Sequence, residues 1–321
     1  MKDEKRNLFS PLYSDIAYDD AFRMIESNCD DILIYFVNYL FKENYDATAV
    51  ITRMRNEHFI ENKDHSKEKR ITDSHFSIMQ NGIDKKYHLE CESGTYDGTI
   101  LVRLFEYDAM IASDLAEGDE RKIRVKFPLT GLLLLRESKK ASDKVEIIIE
   151  TPEGSASYHV NIIKESDFTI DMIFEKKLYF LIPFYIFNFE KELKEINDDE
   201  KRIEELAKLY VNILQKLEDE LRGGRLQDSS YSVIITVTHS VFYKLTMNHP
   251  NVQEKVGDIM GGKDLELPEV MFYRRGLEEG EAKGFAEGEA KGEAERKALS
   301  EEIERLRQEN ELLKSKQLVN E

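Results

Sequence analysis

The chain has 321 residues, 41% of them apolar and 10% aromatic, enough to bury one large core with appendages or two modest ones. Charged residues reach 34% and the net charge is −18, which argues against a generic polyanion binder, because phosphate binding rests on Lys and Arg. Two cysteines with no CxxC and no His/Cys cluster exclude a disulfide framework, argue against a zinc site and fit a reduced, cytoplasmic setting.

The amino terminus, MKDEKRNLFSPLYSD, lacks the apolar stretch a signal peptide needs. Phe22, Ile25, Ile32, Leu33, Phe36, Val37 and Leu40 then recur at helical spacing and predict one long helix over 19–41. Residues 49–59 read as extended. The stretch 71–93, ITDSHFSIMQNGIDKKYHLECES, places alternating runs on either side of Asn81-Gly82, a hairpin signature. Asp73 lies on the first run, Glu90 and Glu92 on the second. Paired strands can bring Asp73 and Glu90 together, and converging carboxylates are what a divalent metal needs to activate water beside a phosphate. Spacing alone equally fits a surface hairpin with its acids on the wet face.

A helix is predicted over 97–112, with Ile100, Leu101, Leu104, Phe105 and Met110 apolar. Residues 122–135 read as a strand whose closing LLLL suits central burial. The order so far is helix, three strands, helix, strand. Strands over 144–150 and 157–163 flank the turn Pro152-Glu153-Gly154 and extend the sheet as a hairpin. Helices follow over 171–189, 199–221 (stopped by Gly223-Gly224), 229–247 and 252–260. The third is β-branched enough to read as a strand as well. The apolar run 178–189, interrupted by Pro183 and Asn188, is too short to span a bilayer and reads as buried.

From Gly276 the composition changes. Glycines stand at 276, 280, 284, 288 and 292, and EGEAKG occurs at 279–284 and 287–292. In a helix each Gly costs about 1 kcal/mol relative to Ala, so this segment is either a frayed spacer or a helix against which a partner packs closely. Residues 276–321 supply −5 of the net charge and leave −13 on the body. Leu299, Ile303, Leu306, Asn310 and Leu313 then form a heptad seam with Leu at d and Asn310 at a. Glu302 and Glu309 fall at g, Arg307 and Lys314 at e. Asn pairing at a and attractive g–e′ pairs predict a parallel homodimer. An amphipathic helix folded onto its own body is the alternative.

DDAFRMI near Asp19, NEHF at Asn56, RITD at Arg70, KKYHLECES at Lys85, RLFEYDA at Arg103, FEKKLYFLIPFYIFNFE at Phe174, IMGG at Ile259 and the glycine-every-fourth tail together resemble a bacterial family within the PD-(D/E)XK nuclease superfamily, the recombination-promoting nucleases or transposases. The resemblance runs from about residue 15 to 295. It implies an α+β chain with a restriction-endonuclease-like αβββαβ core and an added hairpin over 1–168. A helical region packed on that core over 169–265 and a glycine-repeat helix with a short coiled coil over 266–321 complete the expected organisation.

The resemblance further implies a metal-dependent DNA endonuclease in which Asp73 and Glu90 hold Mg²⁺ or Mn²⁺. The position two after the second acid is usually Lys in the superfamily and commonly Gln in this family. Here it is Glu92, which cannot donate a hydrogen bond when ionised and adds negative charge beside a developing phosphorane. Glu92 either serves as a further metal ligand or marks a weakened site, in which case the chain is a catalytically degenerate DNA-binding or assembly module.

Glu57, on the strand before Asp73, can supply an additional carboxylate. Arg103 opens the following helix, where it can clamp phosphate or pair with Glu90 or Glu106. Any DNA contact must use a local basic patch: Arg53, Arg55, Lys63, Lys67, Lys69 and Arg70 before the hairpin, or Arg121, Lys122, Arg124 and Lys126 after it. His58, His75 and His88 have no metal-cage spacing and read as surface or hairpin histidines. Tyr107 reads as core. Cys91, alternating with Glu90 and Glu92, should face the buried side.

Overall fold

A computed structural model describes residues 18–54, 57–61 and 67–261. Helix α1 (Tyr18–Asn28) and helix α2 (Asp30–Phe41) replace the single helix expected over 19–41. Cys29 separates them, with φ −128° and ψ 69° outside the helical region. Asp30 and Asp31 then occupy the first turn of α2, where carboxylates suit the positive end of the helix dipole.

The chain continues through β1 (Val50–Arg53), β2 (Glu57–Glu61), β3 (Lys67–Ile71), β4 (Ser74–Gln80), β5 (Ile83–Glu92), α3 (Ile100–Asp114), β6 (Glu117–Asp119), β7 (Lys122–Arg124), β8 (Leu129–Leu134), β9 (Lys144–Thr151) and β10 (Gly154–Lys164). Six strands make one mixed sheet in the order β1-β4-β5-β8-β10-β9. The pairs β5–β8 and β8–β10 are parallel, the others antiparallel. Ribbons β2–β3 and β6–β7 stand apart from it. The strand expected over 122–135 is therefore two strands of different sheets. Pro128, which has no N–H to give a ladder, falls between them. Between β4 and β5, Asn81 and Gly82 take φ of 53° and 77°, the left-handed pair a two-residue type I′ turn requires.

Both faces of the sheet are covered, which is why β8 closes on the buried apolar run 132–135. On one face Leu132 and Leu134 pack with Ile100 and Leu104 of α3 and with Val160 and Ile162 of β10. On the other, Gly131 lies so close to α2 that a Cβ would come within 2.6 Å of Leu40 Cδ2 and 2.8 Å of Leu89 Cδ2. Alternation along β5 accordingly sends Leu89 and Cys91 toward α2 and leaves His88, Glu90 and Glu92 on the α3 side.

After β10, a 3₁₀ turn (Glu165–Asp167) leads to α4 (Ile170–Glu175), a 3₁₀ segment (Tyr179–Glu192), α5 (Leu193–Asn197), α6 (Glu200–Arg222), α7 (Asp228–Leu245) and α8 (Pro250–Gly261). The helix expected over 171–189 is interrupted by Lys177 at φ 56°. It resumes as a 3₁₀ segment containing Pro183, a residue that cannot complete the α-helical ladder. The β-branched segment near 229–247 is helical, as α7, and packs on α1 and on the 3₁₀ segment. Arg136, just after β8, fastens the helical part to the sheet through two 2.6 Å bonds to Glu190.

The result is an α+β fold with eight α-helices among the described residues, all within one compact unit, Met1–Asp264. No helix among them is long and apolar enough to cross a membrane. The heptad residues Leu299, Ile303, Leu306, Asn310 and Leu313, and the glycine repeat, lie outside the described residues.

Candidate functional site

The hairpin register builds the centre of the site. Ser74 of β4 stands opposite Leu89 of β5, so Asp73, at the bend just before β4, lies beside Glu90. Asp73 donates its backbone N–H to Glu90 Oε1 at 2.8 Å. Its own Oδ2 accepts the Cys91 N–H at 3.0 Å. Asp73 is 5% exposed and Glu90 2%. Burial, then the neighbouring Glu90 charge, push the Asp73 carboxyl up to about 7, although the Cys91 N–H and Arg23 favour its ionised form.

Helix α1 completes the wall. Asp19, Arg23 and Glu26 recur at i, i+4 and i+7 and share one face. Arg23 Nη2 lies 2.8 Å from Asp73 Oδ1. Asp19 is half-buried, and desolvation raises its pKa. Arg23 and Arg103 oppose that shift, while Glu90 and Glu92 add to it, so Asp19 belongs to the same electrostatic cluster. Glu26 is buried and meets Arg53 Nε at 3.4 Å, and Arg53 also reaches Asp30 at 2.6 Å. Arg53, a candidate for DNA contact, is thereby engaged within the fold.

On the α3 side, Glu92 accepts the Gly94 N–H at 2.6 Å and lies 3.5 Å from Arg103 Nη2. The same Arg103 nitrogen is 3.8 Å from Glu90 Oε2. Arg103 thus bridges Glu90 and Glu92 while its side chain stays 44% exposed. Lys126 is taken up by Glu117 at 3.3 Å. Glu57 and Ile71 pair across β2–β3, as do His58 with Arg70 and Phe59 with Lys69. The side chains of Glu57, Lys69 and Arg70 lie outside what is described.

The histidines narrow the sequence expectation. His75 and His88 lie on the β4–β5 hairpin, one of the two places expected, and there they are buried, at 5% and 0% exposure, rather than on the surface. His88 Nδ1 is 2.7 Å from Asp108 Oδ1, and its Nε2 is 3.1 Å from Glu90 Oε1. Burial disfavours the imidazolium, but the bonds to Asp108 and Glu90 outweigh it and hold the ring up to about 9. Tyr107 is buried as expected, its ring set edge-on to His88 at 6.0 Å. Sequence reading missed Asp19, Arg23 and Asp108. The i, i+4 spacing of Asp19 and Arg23 within the quoted DDAFRMI motif was the available signal for the first two.

Among the described residues no three or more His, Cys, Asp or Glu side chains are grouped to hold a metal ion. Two carboxylates nevertheless suit Mg²⁺, which keeps several waters and is commonly held by one or two carboxylates plus substrate phosphate. Asp73 and Glu90 are hard oxygen donors, the class that Mg²⁺ and Mn²⁺ prefer. Burial, and after it the Glu90 charge, raise the Asp73 pKa, and a divalent cation held by the pair would offset both. The donor set therefore fits the ion, with Arg23 and Arg103 standing beside the oxygens it would take. In comparisons with protein-family models, curated proteins and solved structures, the chain has no match.

Proposed function

We propose that this chain is a cytoplasmic, metal-dependent DNA endonuclease of the recombination-promoting nuclease or transposase type, with a PD-(D/E)XK-like core formed by α1, β1, β4, β5, α3 and β8. The observation that carries the reading is the buried Asp73–Glu90 pair, joined by the 2.8 Å bond from the Asp73 N–H to Glu90 Oε1. Two carboxylates brought together in low dielectric destabilise one another, and the pair is explained by a cation that binds between substrate phosphate and protein. Asp73 and Glu90 would hold Mg²⁺ or Mn²⁺, which supplies Lewis acidity and a lowered pKa for attacking water.

The remaining roles belong to the chain itself. Asp73 gives up its proton near neutrality, which makes the ligand pair available at physiological pH. Arg103 lies at the exposed edge of the site, where its guanidinium can turn from Glu92 to a phosphate oxygen. Arg103 offsets the Glu92 charge until it turns to the phosphate, after which Glu92 stands as an anion beside the reacting group. Lys69 and Arg70 on β3 supply further phosphate contacts under this reading. A parallel homodimer through the carboxy-terminal arm would bring two such sites to the two strands of a duplex.

A second reading is favoured by Arg23, which already occupies Asp73 Oδ1 at 2.8 Å. If that ion pair persists, the chain is a non-catalytic module that retains the architecture to bind DNA or to assemble. Mn²⁺-dependent nicking of supercoiled plasmid by the full-length protein, lost in Asp73→Ala, decides between the two.

A further inference from the structure

Behind Glu90 lies a polar array that the hydrolytic reading does not use. Asp108, on α3, is fully buried and accepts three hydrogen bonds. Oδ1 takes one from His88 Nδ1 at 2.7 Å and one from Thr130 Oγ1 at 2.8 Å. Oδ2 takes one from the Tyr158 hydroxyl, also at 2.8 Å. His88 in turn meets Glu90 Oε1 at 3.1 Å. The His88 ring therefore bridges the Asp108 and Glu90 carboxylates through its two nitrogens. Strands β5, β8 and β10 and helix α3 each contribute one member, so the array is fixed by the whole sheet rather than by one loop.

Such an array is a poor device for stability. Buried ionic groups are often matched or bettered by apolar residues of similar volume, and leucines fill the neighbouring positions of β8. Its geometric effect falls on Glu90. Oε1 is consumed by the Asp73 N–H and by His88, which leaves Oε2 facing Arg103 at 3.8 Å.

We propose that His88 is a positioning residue: anchored by Asp108, Thr130 and Tyr158, it fixes the Glu90 carboxylate so that Oε2 alone is presented to a divalent cation. The inference rests on the metal reading of Asp73 and Glu90. Second-sphere bonds of this kind set the orientation of a ligand, and their loss typically weakens metal affinity by about 10–100-fold.

The test is Mn²⁺ calorimetry on the full-length protein and on His88→Leu, His88→Gln, Asp108→Asn and Tyr158→Phe, with circular dichroism to confirm folding. The expected result is Mn²⁺ binding by wild type, a loss of about 10–100-fold in His88→Leu and Asp108→Asn, and partial rescue in His88→Gln, whose amide can still donate to Glu90. Tyr158→Phe, which removes one bond at the far end of the array and retains the ring, gives a smaller loss and covers the case in which the larger changes unfold the chain. Binding by wild type with equal affinity in every folded variant overturns the positioning role and leaves the metal reading intact. No binding by wild type overturns both. A loss in His88→Leu that His88→Gln does not relieve, with Asp108→Asn and Tyr158→Phe at wild-type affinity, shows a packing role and overturns the proposal.

Discussion

Asp73 and Glu90 are bound to each other through the Asp73 backbone N–H and Glu90 Oε1, 2.8 Å apart, while their two carboxylates share one buried place. The backbone bond sets the distance and the shared burial sets the electrostatics. Burial and the Glu90 charge together hold the Asp73 proton up to about pH 7.

Metal affinity should follow that proton. A cation competes with it, so Mn²⁺ binding is expected to weaken about tenfold for each pH unit below 7 and to level off above it. The same shift affects stability. The unfolded chain releases this proton near 4 and the folded chain near 7, so the stabilising contribution is full below pH 4 and is lost as pH rises through 7. Calorimetric titrations at pH 5.5, 6.5, 7.5 and 8.5 check the binding limb. An affinity that does not vary with pH contradicts the assignment.

Glu92→Gln should raise the nicking rate. The substitution removes a negative charge near the reacting phosphate and releases Arg103 from its 3.5 Å pairing. An increase of about two- to tenfold corresponds to ~0.4–1.4 kcal/mol of relieved barrier. Initial rates on supercoiled plasmid measure it, and a fall in rate instead identifies Glu92 as a metal ligand.

Glu165 gives a stability test away from the site. Its carboxyl is fully buried, neither oxygen has a hydrogen-bond partner, and burial raises its pKa well above the ordinary value. The folded state therefore prefers the protonated form, and stability present at acid pH is lost as pH rises toward the folded pKa. Glu165→Gln keeps the shape of the neutral acid. Its melting temperature should exceed wild type at pH 8, by about 2–4 °C for each kcal/mol relieved, and match it near pH 4. Thermal melts at the two pH values compare them directly.

The pairing of Asp73 with Glu90 is legible in the sequence because Asn81-Gly82 fixes a two-residue turn, and the turn fixes every partner along β4 and β5. The role of His88 is not legible, for a physical reason. Alternation assigns Leu89 and Cys91 to the core and leaves His88, Glu90 and Glu92 on the face that looks wet. That face is covered by α3, and Leu132, Leu134 and Val160 on neighbouring strands seal it, so burial there depends on residues from about 10 to about 70 positions away in the chain. Asp19 and Arg23 escape notice differently, since helical periodicity is read from apolar positions and says little about what the polar ones meet. Pro128 does announce the break between β7 and β8, whereas the break at Lys177 carries no proline.

The carboxy-terminal arm is tested by its mass. With Asn310 at a and Glu302 and Glu309 facing Arg307 and Lys314 of a partner, the full chain should sediment as a dimer at micromolar concentration and a 1–275 fragment as a monomer. Two monomers contradict the coiled coil without touching the assignment of the site.

The central claim is that Asp73 and Glu90 make a metal-dependent phosphodiesterase. Supercoiled-plasmid nicking by the full-length protein, with Mn²⁺, Mg²⁺ or a chelator and with Asp73→Ala and Glu90→Gln alongside, tests it most directly. The account predicts nicking by wild type only when metal is present, and none above background by either variant. Absence of wild-type nicking across metals and DNA substrates, or nicking that survives Asp73→Ala, contradicts it.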